Sequence, residues 1–489
     1  MLYTSYIFVL FLILTVFLYY KIPQMWQWKL LLVASLVFYI WSGYIYLIYV
    51  LVFSYVTWFG AKIIEKYSGT GSARGNRFRA FILAILILFN LGVLIFLKWS
   101  GIGFALVNKV FGIGLAWRII LPLGMSFFTF QNTAYLIDVY KGKISAEKKY
   151  GHYLLFSIYF PYIVSGPINR YEQMERQFFV KHTFQKETFY SAFLRILWGF
   201  LKKMVIADRA AIFVNQVFDN YYMYRGLFIL FAVFLFSLQL YMDFSGCMDI
   251  VIGVSKLFDI DMIENFQAPY GANTVAEFWR RWHISLTSWF RDYLYIPLGG
   301  NRKGKIRKYI NIMLVFILCG AWHGAGVTFL IWGFLNGFYQ IVGDATSKIR
   351  RKLCLAIGLD ENSYGAVLRK RLTTTLMIEF AWLFFRANGV REAFVMLRRL
   401  FTGWNPWILS DGTLYEVGLD MWDFLILIIG TVCVSLVSHI GNKKNLHRIF
   451  TEQSWLCQTC LIILVMVIWY IFGIYGPGFD AANFIYYNF

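Results

Sequence analysis

The sequence predicts an all-α polytopic membrane protein, and three observations carry that prediction. Of 489 residues, 59% are hydrophobic and only 15% charged, with a mean hydropathy of +0.59. A soluble domain carries about 25% charged residues. Apolar runs recur from end to end, many near the roughly 20 residues that a helix needs to cross a bilayer. The net charge of +20 is gathered into short basic loops between those runs. That pattern reads as loops held on the cytoplasmic side against anionic lipid, so the expected partner is the bilayer and not nucleic acid. Six cysteines are scattered, and Cys457-x-x-Cys460 stands without a second pair or nearby histidines. Neither a disulfide framework nor a metal site is expected.

The first segment, Tyr6 to Tyr20, lacks a preceding basic residue and a small-residue cleavage site, so it reads as a membrane helix and not a signal peptide. Leu30 to Phe59 is too long for one span and breaks near Ser42-Gly43, giving two helices. Lys62 to Arg79 follows as a Gly/Ser-rich basic loop, and its cytoplasmic placement puts the N-terminus outside. Phe81 to Leu97 then crosses outward and Leu121 to Tyr140 returns, ending at the basic loop Lys141–Lys149. Tyr153 to Arg170 has two prolines and a Ser-Gly break, which predicts a re-entrant or interfacial element. Broken backbone at membrane depth must be buried in protein or line a cavity.

Phe189 to Ala207 carries Arg195, Lys202 and Lys203, whose heads are expected to snorkel to the interface. Leu227 to Phe258 holds Asp243 and Asp249, acids at a depth where function is the default reading. Hydrogen bonding between helices is the competing explanation. Later spans are Leu372 to Phe385, which ends at Arg386, then Phe424 to Ile440 and Cys460 to Tyr475. The total is about ten or eleven spans plus re-entrant pieces, in one integral membrane domain, 1–489. It divides into N-terminal helices (1–118), a core (119–342) and C-terminal helices (343–489).

The core carries the chemistry. Thr274-x-x-Glu277 is a capping box, so a helix should begin near Val275. Val275, Phe278, Trp279, Trp282, Leu286, Trp289 and Tyr293 recur at three- and four-residue spacing, with Glu277, Arg280, Arg281 and Arg291 mostly off that stripe. This reads as a basic, aromatic-rich amphipathic helix at the interface, with His283 at the stripe's edge. Pro297 and Gly299-Gly300 end it, and Arg302 to Lys308 adds five basic residues. An apolar run of about thirty residues follows, with His323 near its middle and Gly320, Gly324 and Gly326 beside it. An imidazole at that depth must be hydrogen-bonded, line a wet cavity or do chemistry. Each glycine costs roughly 1 kcal/mol against alanine in a helix interior, so another backbone or a substrate must come close. A core histidine in a tightly packed bundle explains the same residues.

FWRRWHISLTSWFRDYLYIPLGG, followed by AWHG, resembles the membrane-bound O-acyltransferase (MBOAT) family, and within it the bacterial branch that acetylates alginate and related polysaccharides. LPLGMSFFTFQNTAYLIDVY, FPYIVSGPINR, LYMDFSGCMDIVIGVSKLF, FFRAN and the terminal FIYYNF match that branch in order, from Leu121 to the end. IPLGGNRKG favours the acetylation branch over the D-alanyl transferase of teichoic acids, and the terminal Tyr487-Asn488 departs from the usual aromatic-Gln ending.

The resemblance implies an acyl-transfer enzyme whose helices surround a central tunnel. It implies that activity depends on His323, with His283 in the place of a second polar residue that is Asn in many eukaryotic relatives. A buried imidazole stays neutral and can accept a proton from an attacking hydroxyl. A nucleophilic His323 is the alternative, and His283 could orient the acyl carbonyl or polarise it as the oxyanion forms. Trp279, Arg280, Arg281, Trp282, Arg291, Asp243, Trp322, Gly320 and Gly324 are the candidates for donor binding or tunnel lining. The remaining histidines, His152, His182, His439 and His447, lie near segment ends, where solvation explains them. No cofactor is expected to be bound. Acetyl-CoA is the expected co-substrate, since the basic stretch Arg302 to Lys308 suits its phosphates, although inside-positive topology explains that charge without a ligand. The acceptor implied is a cell-envelope or secreted polysaccharide, reached directly or through an extracytoplasmic hydrolase-like partner, from a bacterial cell membrane. D-alanyl transfer from a carrier protein is the second enzyme reading. A transporter of an acyl donor, gated by His323, is the reading from another class.

Overall fold

A computed structural model of the protein describes residues 3–68, 73–112, 122, 124–443 and 446–475. These fall into two compact units, 3–196 with 247–263, and 197–246 with 264–475. In order, the helices are α1 (Tyr6–Lys21), α2 (Gln27–Ser42), α3 (Tyr44–Lys66), α4 (Ala73–Phe111), α5 (Met125–Tyr140), α6 (Tyr150–Ile158), α7 (Tyr171–Phe178) and α8 (Lys186–Phe200). Then come α9 (Asp208–Asp219), α10 (Leu227–Lys256), α11 (Val275–Arg281), α12 (Ile284–Phe290), α13 (Lys305–His323) and α14 (Val327–Ala345). The last are α15 (Ser347–Ala356), α16 (Tyr364–Arg386), α17 (Val390–Thr402), α18 (Met421–Lys443), α19 (Leu446–Thr451) and α20 (Trp455–Phe472). Among the described residues there are no strands, and the all-α membrane fold expected from composition is the observed one.

In the first unit the local signals hold. Ser5 Oγ caps α1 by accepting from the Phe8 amide at 3.2 Å. The long apolar run breaks at Gly43, whose φ of 141° no side-chain-bearing residue adopts readily. The basic stretch 62–79 is not a loop throughout. Lys62 to Lys66 extends α3 and Arg74 to Arg79 begins α4, because Lys and Arg are good helix formers once the apolar window ends. Residues 69–72 lie outside the described chain, as do Leu121 and the terminal aromatic motif. The broken stretch after α6 is buried from Tyr159 to Asn169, as irregular backbone at membrane depth requires. Gly124, with φ of 71°, lets the start of α5 touch it, since a Cβ there would collide with the Ile163 carbonyl.

His182 is not a solvated end residue. Its ring is buried, with Nδ1 3.0 Å from Asp259 Oδ2 and Nε2 2.7 Å from the Gln177 carbonyl. Arg195 does not snorkel either, because Asp249 receives its Nε at 3.2 Å.

Among the described residues, five helices are long and apolar enough to cross a membrane: α3, α4 (over Ala73–Gly101), α10, α18 (over Met421–Gly441) and α20. Only 11% of the α18 window and 17% of the α20 window is buried within the protein, so their apolar surfaces suit lipid. The other expected spans are shorter helices or, like α16, carry too many charges for that criterion. In the second unit Lys203 sits in a wide π-helical turn after α8 and is buried between two acids. Its Nζ lies 2.7 Å from Asp208 Oδ1 and 2.6 Å from Asp243 Oδ1. Arg386, at the end of α16, donates to Asn215 at 3.0 Å and Asp219 at 3.2 Å, tying α16 to α9.

Candidate active site

The apolar run containing His323 folds as a hairpin and not as one span. Helix α13 ends at His323, the chain turns through Gly324, Ala325 and Gly326, and α14 returns from Val327. Glycines set the closeness of the two helices. A Cβ at Gly320 would strike the Phe329 carbonyl, one at Gly333 the Phe316 carbonyl, and one at Gly324 the Phe329 ring. His323 is therefore at a helix C-terminus, where backbone carbonyls favour positive charge on an imidazole, and not in mid-span. Overpacked cores typically lose about 1–3 kcal/mol. Gly320→Ala should cost that much, read as a lower thermal midpoint in detergent, and an unchanged midpoint would show that the helices are not in backbone contact.

The helix expected over residues 275–293 is broken in the middle. Its start is as predicted, with Thr274 Oγ1 accepting from the Glu277 amide at 3.1 Å and the Glu277 carboxylate accepting from the Asn273 amide at 2.9 Å. Helix α11 stops at Arg281, and His283 takes the left-handed conformation, φ 47° and ψ 53°, before α12 begins. The break is templated by residues 265–267, which run antiparallel to it. Gln267 N–H donates to the Arg281 carbonyl at 2.9 Å and Ile284 N–H donates to the Asn265 carbonyl at 3.0 Å, with Phe266 and Trp282 paired between them. Only the backbone of a distant segment decides this, so a helical stripe read from sequence cannot reveal it. His283 is thus a fixed residue at a break and not an amphipathic boundary residue.

Both imidazoles are buried, at 1% exposure for His283 and 3% for His323. They lie against the same indole. The Trp322 ring centroid is 6.4 Å from that of His283 and 4.7 Å from that of His323. Phe244 packs edge-on to His283 at 4.8 Å, and Trp332 and Phe385 close on His323 at 5.1 and 5.3 Å. Burial pushes the His283 pKa from the ordinary 6.5 down to about 3, which keeps that ring neutral. These rings pack around both imidazoles.

A cavity of about 510 Å³ lies in the same unit, walled in part by Ser237, Tyr270, Arg281, Arg371, Glu379 and His439. A run of ring contacts leads from its wall to His323: Tyr270 to Trp282 at 6.3 Å, Trp282 to Trp382 at 5.4 Å, Trp382 to Trp332 at 5.7 Å. The structure sorts the other candidates around this locus. Trp279 Nε1 donates to Asn336 Oδ1 at 3.0 Å and is a packing residue. Arg281 lines the cavity while bridged to Glu277. Arg280 and Arg291 are exposed, and Arg291 pairs with Asp292 at 2.8 Å. Asp243 belongs to the Lys203 ion pair. Sequence reading missed Asn265, Trp332, Trp382 and Glu379. For Glu379 a signal existed, an acid inside the apolar run LMIEFAWLFF, whereas the tryptophans are indistinguishable from ordinary core residues.

Residues 148–357 match the family described as MBOAT, membrane-bound O-acyltransferase. The chain is 33% identical over 406 residues to a probable alginate O-acetylase of Pseudomonas fluorescens, covering 82% of this chain and 76% of that protein. It is 36% identical over 307 residues to a peptidoglycan O-acetyltransferase of Helicobacter pylori, covering 57% and 56%. Similarity to a teichoic acid D-alanyltransferase of Bacillus subtilis is weaker and shorter, 30% over 250 residues, covering 47% and 60%.

Proposed function

The chain belongs to the membrane-bound O-acyltransferase family, and we propose that within it this multi-pass membrane enzyme O-acetylates a cell-envelope or secreted polysaccharide. The acetyl group comes from a cytoplasmic thioester, acetyl-CoA, and reaches the acceptor from the cell membrane of a bacterium. A hydrolase-like protein outside the membrane receives the group first or presents the polysaccharide. One observation carries this reading: two buried imidazoles, from a helix break and a helix end, meet one indole in a chain most of whose length resembles an alginate acetylase. In that arrangement one imidazole takes the proton of the attacking hydroxyl as its oxygen closes on the acyl carbonyl, and the leaving thiolate is reprotonated. The edge-on rings around the imidazoles exclude water, which suits a site that must transfer an acyl group and not hydrolyse it.

The basic segments Lys141–Lys149 and Arg302–Lys308 then face the cytoplasm, and the N-terminus lies outside. The test is reconstitution in vesicles with labelled acetyl-CoA on the side of those segments. Acetyl appearing on polysaccharide or partner on the opposite side, with free CoA left behind, is the expected result. Transfer only from an alanyl-loaded carrier protein would establish the D-alanyl reading, which the similarity to a teichoic acid enzyme keeps in view. Intact donor crossing the membrane would establish a transporter.

The proposed place for the donor is the cavity. Arg281 and Arg371 on its wall suit the phosphates of an anionic donor, with the thioester end directed along the tryptophan rings. A hydrogen bond to a charged group contributes about 1.5–3 kcal/mol, so Arg281→Ala should raise the donor KM about 10–100-fold while kcat changes less. Loss of expression instead would mark Arg281 as a structural partner of Glu277.

A further inference from the structure

The break that creates His283's position also decides which face of its ring carries a proton. Asn265 is buried at 1% exposure, and its Oδ1 accepts from the Ser285 backbone amide at 2.9 Å. A backbone N–H can only donate, so the side-chain atom facing it must be the oxygen and not the amide nitrogen. That same oxygen lies 3.3 Å from His283 Nδ1. An oxygen that can only accept requires Nδ1 to carry the hydrogen, and in a neutral ring Nε2 is then a lone pair. The Asn265 carbonyl, bonded to the Ile284 amide at 3.0 Å, pins the backbone immediately after the ring.

We propose that Asn265 is a positioning residue that locks His283 in the Nδ1–H tautomer, so that His283 meets the reactants as a hydrogen-bond acceptor at Nε2. The inference rests on the acyl-transfer reading for its consequence and on hydrogen-bond chemistry alone for its premise. It reassigns the oxyanion-stabilising role that sequence suggested for His283, because a neutral ring of this tautomer has no hydrogen at Nε2 to offer an oxyanion. It fits the attacking hydroxyl instead, which has a hydrogen to donate and must have its oxygen turned toward the acyl carbon. His323 then serves the acyl group. Second-sphere residues of this kind act through the ring they orient.

Histidine-selective nitrogen-15 NMR of the full-length protein in lipid nanodiscs reads the tautomer without any assay of activity. In the wild type His283, assigned by its loss in His283→Asn, should show a protonated Nδ1 and a pyridine-type Nε2. Asn265→Ala removes the acceptor and should lose that pattern, with kcat falling about 10–10²-fold, the cost typical of losing an outer partner, and the donor KM changing less than twofold. Asn265→Asp keeps an acceptor oxygen for both donors and should restore the tautomer and most of kcat. A protonated Nε2 in the wild type overturns the proposal, as does an Asn265→Ala variant with native tautomer and kcat. Equal loss of kcat in the Ala and Asp variants also overturns it, marking Asn265 as structural only. If acyl transfer itself proves wrong, the wild-type spectrum still decides the tautomer.

Discussion

His323→Ala should leave a protein that inserts, folds and binds donor but transfers no acyl group, a loss of at least about 10⁴-fold, the upper end of what acid–base catalysis contributes. The structure makes the folding half of this expectation concrete. His323 is the last residue of α13, and the approach of α13 to α14 is set by Gly320 and Gly333, not by the imidazole. Trp322, Trp332 and Phe385 surround the ring, and their mutual packing survives its loss, Trp332 lying 5.2 Å from Phe385. The chemical half follows from position. Whether the ring takes a proton or attacks the thioester, positive charge builds on it, and the carbonyl end of a 19-residue helix stabilises that charge. Acyl transfer in vesicles, with donor binding measured in parallel, checks both halves. Residual transfer within tenfold of wild type would remove His323 from the chemistry.

What could be seen in the sequence was whatever neighbouring residues decide. Thr274 with Glu277 and Gly43 between α2 and α3 act within one turn of chain, and both behave as expected. The grouping of both histidines at one candidate site comes from motif resemblance, and the structure supplies the geometry that resemblance lacks. What was not visible is decided across the chain. The stripe from Val275 to Tyr293 is helical by period, yet residues 265–267 claim the backbone of Arg281 and Ile284 and break it at His283. Gly320, Gly324 and Gly326 were recognised as marks of close approach, but not as the end of a helix, because an apolar run of that length fits a single span equally well. Asp243 looked functional because its partner, Lys203, sits on another element, and an acid deep in a helix reads the same whether it is paired or reactive.

His283 separates backbone from chemistry, and its substitutions should show the two effects independently. The residue sits at φ 47°, a conformation that costs ordinary side chains roughly 1–2 kcal/mol and that Asn tolerates better than Ala. His283→Ala should therefore lose stability through strain as well as activity, whereas His283→Asn should keep a near-native thermal midpoint. Activity should fall in both, because neither side chain offers an imidazole lone pair to a hydroxyl. The expected loss is about 10²–10⁴-fold, the range for a positioned proton acceptor. It should stay smaller than the loss at His323, since the acyl group still reaches its own residue. Burial holds the His283 ring neutral, with its pKa pushed down to about 3. Its lone pair is therefore available throughout the physiological range, and the ratio of wild-type to His283→Asn rates should not vary between pH 6 and 8, a range well above that value. A ratio that rises steeply with pH across that interval would mean that the ring titrates there and is wetter than the structure shows. A His283→Asn variant with undiminished turnover would reduce His283 to a turn residue, leaving His323 to work alone.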